Sequence, residues 1–136
     1  MSSQAAGESR LEPGRDPRHI LIVDDEVDLC DILKTLFAES GYQVDVAYNG
    51  VQALEHVRAQ RPDLILLDVM LPGQVGFNVA RMIKFDCRSE NIPIIMMTAR
   101  HFDKDMDIAR EVGAVGRIIK PFDFPALLDL VNSILN

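Results

Sequence analysis

With 136 residues, 48% of them hydrophobic and 26% charged, the chain is long enough for one hydrophobic core and has the composition of a single globular domain. A formal charge of −7 opposes non-specific binding to nucleic acid or to an anionic membrane, because both present negatively charged phosphates. No apolar stretch approaches the roughly 20 residues of a membrane helix, and the N-terminus carries no apolar signal core, so a cytoplasmic location is expected.

Residues 1–18 are rich in Ser, Gly, Pro and charge, with Leu11 the one large aliphatic residue after Met1. Such a segment buries too little apolar area to offset its ordering entropy and reads as a disordered tail ahead of a folded domain over 19–136. From His19 onward, strand and helix patterns alternate. A first strand over 19–24 precedes a helix with Leu29, Ile32, Leu33, Leu36 and Phe37 at helical spacing, stopped by Gly41. A second strand runs from Gln43 to Ala47. Asn49 then caps a short helix, with Gln52 at the capping-box position and Ala53, Leu54 and Val57 inward. The third strand is 63–68. A loop with Pro72, Gly73 and Gly76 leads to a helix carrying Val79, Met82 and Ile83 inward. The fourth strand is Pro93 to Thr98. A weaker helix follows from about Asp103 to Val112, bounded by Gly113, and then a short fifth strand from Arg117 to Lys120. The last helix follows Asp123, has Pro125 in its first turn and buries Leu127, Leu130, Val131, Ile134 and Leu135. Cys30 and Cys87, the only cysteines, read as buried or idle thiols in a reducing compartment. His19, His56 and His101 lack metal-ligand spacing, and Met82, Met96, Met97 and Met106 read as core packing.

Strands one, three and four are almost wholly apolar rather than alternating, as parallel strands covered on both faces are. Right-handed crossovers between them predict an α/β fold: a doubly wound, five-stranded parallel sheet in a three-layer sandwich. Its functional crevice belongs at the carboxyl ends of the strands. There the sequence places Asp24 and Asp25 at the end of strand one, Asp68 at the end of strand three, Thr98 at the end of strand four and Lys120 at the end of strand five.

Three carboxylates brought together repel one another, and a divalent cation removes the conflict. Oxygen-only ligands favour a hard ion such as Mg²⁺, which keeps several waters and readily shares a ligand with a phosphate. The cluster therefore suits phosphoryl transfer, with Lys120 offsetting charge and the Thr98 hydroxyl donating a hydrogen bond. No serine–histidine pair, glycine-rich cradle or Walker lysine motif competes, so the nucleophile is expected to be a carboxylate. Asp68 stands alone on the central strand and is the best candidate.

Four motifs carry a resemblance. They are Ile22-Val23-Asp24-Asp25-Glu26, Leu66-Leu67-Asp68-Val69-Met70-Leu71-Pro72-Gly73, Met97-Thr98-Ala99 and Lys120-Pro121-Phe122. In this order and spacing, residues 19–136 resemble a receiver domain of the two-component response-regulator family. The resemblance implies a flavodoxin-like sheet of order 2-1-3-4-5, with Asp68 phosphorylated by a histidine kinase or a histidine phosphotransfer protein. It implies Mg²⁺ held by the side chains of Asp25 and Asp68 and the main-chain carbonyl of Met70, with Asp24 acting largely through water. Thr98 and Lys120 would hold the phosphoryl oxygens, and a cis bond would precede Pro121. Output would run through protein contacts on the face of the fourth helix, fifth strand and fifth helix, without direct nucleic-acid or membrane binding. The chain would be a monomer or a phosphorylation-dependent dimer, and no enzyme beyond catalysing its own phosphorylation and dephosphorylation.

Two departures from the family pattern stand out. Arg117 replaces an aromatic residue common three positions before the lysine, and either an exposed place on a short edge strand or a role at the switching surface of the fourth helix, fifth strand and fifth helix is expected for it. The loop Leu71-Pro72-Gly73-Gln74-Val75-Gly76 also differs from the family's usual sequence, while Met70 and Arg100 occupy positions that influence phosphoryl lifetime. Two competing readings remain: a non-phosphorylated interaction module on the same fold, and a phosphatase with an aspartyl nucleophile. Met70 opposes the second, because such enzymes place an acid/base aspartate two residues after the nucleophile.

Overall fold

The apolar runs of the sequence become the strands of one sheet in the computed structural model, which describes residues 17–71, 74–86, 88–99 and 113–136. The strands are β1 (His19–Val23), β2 (Gln43–Ala47), β3 (Leu64–Asp68), β4 (Ile94–Thr98) and β5 (Gly116–Ile119). All pairings are parallel, in the order β2-β1-β3-β4-β5, as expected. Helices α1 (Val27–Glu39), α2 (Gly50–Gln60), α3 (Gly76–Phe85) and a C-terminal helix (Phe124–Leu135) flank it. The predicted helix over 103–112, with Met106, lies outside the described residues, as do the tail through residue 16, Pro72, Gly73, Cys87, Arg100 and His101. No helix among the described residues is long and apolar enough to cross a membrane.

Every residue of β1, β3 and β4 is buried, because alternate side chains enter two separate cores. Leu21, Val23, Ile65, Leu67, Ile94 and Met96 meet α2 and α3; Ile20, Ile22, Leu64, Leu66, Ile95 and Met97 meet α1 and the C-terminal helix. Each such aliphatic side chain contributes about 1.5–3 kcal/mol on burial. The helix ends follow local chemistry. Asn49 Oδ1 accepts from the Gln52 amide at 2.9 Å, Gln52 Oε1 accepts from the Tyr48 amide at 2.8 Å, and Asp123 Oδ1 accepts from the Ala126 amide at 2.8 Å. Gly41, at φ 96°, makes the left-handed exit from α1.

The predicted helix faces shift in three places. In α1 the inward stripe is Cys30, Leu33 and Phe37, and Ile32 is 57% exposed. Apolar residues cover more of this helix than the sheet can touch, and small Cys30 takes the close approach. In α3 Ala80 packs inward and Met82 turns out, correcting its assignment to the core; Met96 and Met97 are fully buried. In the C-terminal helix, Leu127, Val131 and Leu135 are buried, while Leu130 and Ile134 lie half-buried at the margin of that core.

Between β3 and α3 a two-residue antiparallel ribbon, Met70–Leu71 with Gln74–Val75, closes the loop. It brings the Gly76 amide to 2.6 Å from the Val69 carbonyl oxygen. A Cβ at Gly76 would sit on the Asp68 carbonyl oxygen, so glycine is required there by close backbone approach. Gly76→Ala should therefore destabilise the domain by about 2–4 kcal/mol, read from the denaturant midpoint. A change within about 0.5 kcal/mol would contradict this packing.

Candidate functional site

The polar residues that end the strands converge on one edge of the sheet. Asp24 follows β1 directly, is fully buried and is fixed by its amide donating to the Ala47 carbonyl at 3.1 Å. Asp25 beside it is exposed. Asp68 ends β3 and Thr98 ends β4, both buried. Lys120 follows β5, its amide donating to the Thr98 carbonyl at 2.6 Å, and the cis peptide to Pro121 expected from the resemblance is present. Carboxylate oxygens of Asp24, Asp25 and Asp68 all lie within 4.8 Å of one another. Thus Asp24, Asp25, Asp68 and Lys120 meet in one pocket, with Thr98 at the end of the neighbouring strand.

Among the described residues one ammonium serves this carboxylate cluster. Lys120 Nζ donates to Asp24 Oδ2 at 2.5 Å and to Glu26 Oε1 at 2.9 Å, and lies 3.6 Å from Asp68 Oδ2. At that range Asp68 feels the charge without a hydrogen bond. Asp68 Oδ1 instead accepts from the Met70 amide at 3.1 Å, and Asp24 Oδ1 from the Glu26 amide at 2.9 Å. Burial is the main cause that pushes the Asp68 carboxyl from 3.8 up to about 6; the Met70 hydrogen bond opposes it, and Asp24 adds repulsion. For Lys120, burial alone would lower the pKa, but the hydrogen bonds to Asp24 and Glu26 outweigh it and raise it. Beneath the pocket the Cys30 thiol donates to the Asp24 carbonyl at 3.3 Å. Burial, with Asp24 nearby, pushes it up to about 12, so it is an inert structural thiol.

The donor set fits a magnesium ion: three carboxylates, no nitrogen or sulfur ligand among the described residues, and an edge open to solvent at Asp25. The side chain of Met70 is 67% exposed; its amide is committed to Asp68.

Two residues were not assigned these positions from sequence. Glu26 is the N-cap of α1, yet its side chain makes no cap hydrogen bond and spans to Lys120 instead. Its place directly after the aspartate pair was the available signal. Arg117 corrects the expectation of an exposed edge residue: it is half-buried, and its buried Nη1 has no hydrogen-bond partner among the described residues. It pairs in register with Met96 on the α2/α3 side of the sheet, so its stem follows an apolar face.

The raised pKa of Asp68 has a stability consequence. The folded state holds this proton more tightly than the unfolded chain. The carboxylate therefore destabilises the fold fully above about pH 6, and the cost is relieved as pH falls toward 3.8. In metal-free buffer with chelator, Asp68→Asn should be more stable than the parent at neutral pH by on the order of 1 kcal/mol. That advantage should shrink as pH falls below about 6. A pH-independent difference in urea midpoints would contradict the raised value.

The model of the response regulator receiver domain matches residues 20–132. The chain is 27% identical to the chemotaxis response regulator CheY4 of Vibrio cholerae, at a TM-score of 0.82 covering 87% of this chain and 98% of that one. It is 31% identical to a putative response regulator from Chloroflexus aurantiacus, with a TM-score of 0.83 over 88% and 98%. It is 33% identical to the signal receiver domain of a signal transduction histidine kinase from Syntrophus aciditrophicus, with a TM-score of 0.80 over 87% and 89%.

Proposed function

The chain belongs to the response regulator receiver domain family of two-component signalling, and we propose that it works as a phosphorylation switch with Asp68 as phosphoacceptor. The observation that carries this reading is the pairing of Asp68 with Lys120 at 3.6 Å inside a carboxylate cluster that can hold a cation. In the proposed reaction, a carboxylate oxygen of Asp68 attacks the phosphorus of a phosphohistidine on a histidine kinase or phosphotransfer protein. The P–N bond breaks, its electron pair stays with the imidazole, and an acyl phosphate forms on Asp68. Asp25 and Asp68, with the Met70 carbonyl and Asp24 acting through water, would hold Mg²⁺. When bound, the ion supplies charge neutralisation at the transferring oxygens.

Lys120 is poised to follow the charge. Its ammonium is shared between Asp24 and Glu26 and needs to move little to pair with a phosphoryl oxygen on Asp68. The Thr98 hydroxyl would donate to another of those oxygens. The new dianion would thereby bias Thr98 and Lys120, and with them β4 and β5, toward a second conformation that a downstream protein reads. The module processes only its own phosphoryl group, and turnover of an external substrate is not part of the reading. The histidine kinase source of one similar receiver suggests that such a unit can also serve inside a larger signalling protein.

Incubation with a small phosphodonor and Mg²⁺ should add the mass of one phosphoryl group to the intact protein. Asp68→Asn and chelator should each abolish the gain, and Asp25→Asn should slow it roughly tenfold or more. A parent chain that stays unmodified beside a control receiver that is modified would replace this reading with a passive interaction module.

A further inference from the structure

The edge of the sheet opposite the acidic pocket carries the reverse charge. A groove of about 380 Å³ opens where α2 ends before β3 and α3 ends before β4, lined by Val57, Arg58, Arg61, Asp86, Arg88 and Ser89. Three guanidinium groups on one groove are notable in a chain of net charge −7. The one carboxylate there is already engaged: Asp86 accepts from Arg88 Nε at 3.2 Å and NH2 at 3.0 Å, and from the Arg88 amide at 2.9 Å. The Ser89 hydroxyl is likewise engaged, donating to the Ile83 carbonyl at 2.7 Å. Asp86 thus offsets one arginine of three.

The other two are differently placed. Arg61 caps α2 in the left-handed conformation, at φ 38° and ψ 82°, which is uncommon for a non-glycine residue. Its Nε donates to the Arg88 carbonyl at 2.8 Å, which ties the guanidinium to the groove wall. Arg58, one helical turn earlier, lies close enough to act electrostatically on Asp86, and no hydrogen bond or ion pair holds it among the described residues. The groove therefore keeps two net positive charges beside the buried apolar side chain of Val57. Its volume lies in the small-molecule range and exceeds what a bare oxyanion needs.

We propose that this groove binds a small phosphomonoester, with the dianionic head between Arg58 and Arg61 and the apolar part over Val57. Two guanidinium forks match two charges and the multiple oxygens of a phosphate better than a single carboxylate does. The site is separate from the acidic pocket, where a free phosphomonoester without metal is repelled.

Phenyl phosphate is the probe, titrated by calorimetry into the full chain in metal-free buffer, against sodium chloride at matched ionic strength and against inorganic phosphate. The expected result is saturable binding at or below about 1 mM, tighter than for inorganic phosphate and unchanged in Asp68→Asn. Arg58→Gln, which breaks no hydrogen bond or ion pair among the described residues, should weaken it about tenfold, and Arg61→Asn, which tolerates the left-handed backbone, should do the same. Circular dichroism melts would establish that both variants fold. Heat no different from sodium chloride, equal affinity in folded Arg58→Gln, or loss of binding in Asp68→Asn would overturn the proposal.

Discussion

Like charges held together against their repulsion are the constraint on which the rest of this domain depends. Asp24, Glu26 and Asp68 surround the ammonium of Lys120, Asp25 adjoins Asp24 and Asp68, and Asp24 and Asp68 are buried. Isolated carboxylates at this depth would be expensive. The fold keeps them by giving each a specific acceptor role: Asp24 takes the Glu26 amide and Lys120, and Asp68 takes the Met70 amide. What remains uncompensated appears as the raised pKa of Asp68. A site that a cation or a rearranged lysine would relieve is therefore built into the ground state.

Such a pocket needs a rigid foundation, and the two-sided core supplies it. β1, β3 and β4 are buried throughout, so their register cannot slip by one residue without exchanging the contents of two cores. That locks the heights of Asp24, Asp68 and Thr98 relative to one another. Gly76 works toward the same end from the loop, since its lack of a side chain lets α3 begin against the backbone of Asp68. The α1 cap shows the trade in reverse: Glu26 leaves the helix end without a side-chain cap and spends its carboxylate on Lys120.

Much of this was legible because the decisive signals are short and local. Strand ends are marked by an abrupt change from aliphatic to charged residues, and parallel strands by their unbroken apolarity, so the parallel sheet and the convergence of Asp24, Asp25, Asp68 and Lys120 could be read along the chain, while the strand order followed only from the resemblance to a receiver domain. Helix faces were less legible. Leu29, Cys30, Ile32, Leu33, Leu36 and Phe37 cover too wide an arc for sequence to say which part meets the sheet; packing chose Cys30 and released Ile32. Met82 was misplaced for the same reason, with Ala80 allowing the closer approach. The Glu26–Lys120 bond spans 94 residues and had no sequence signature of its own. The ribbon beside Asp68 was also missed, because two-residue strands have no periodicity.

Arg117 shows how the two faces of the sheet are connected. Along β4, Ile94 and Met96 face the α2/α3 core, and Thr98 continues that alternation. Asp68 instead follows Leu64 and Leu66, which face the other core. The two faces meet at the strand ends, where the Lys120 amide donates to the Thr98 carbonyl and Thr98 stands beside the acidic pocket. Arg117 is the in-register partner of Met96, so it is a diagonal neighbour of Thr98 on the same face. Among the described residues its buried Nη1 has no acceptor, and a buried donor left in that state costs on the order of 1–3 kcal/mol. An aromatic ring at this position would carry no such debt. With arginine there, a conformation that gives Nη1 an acceptor gains a hydrogen bond, so movement on this face involves hydrogen bonding as well as the filling of space.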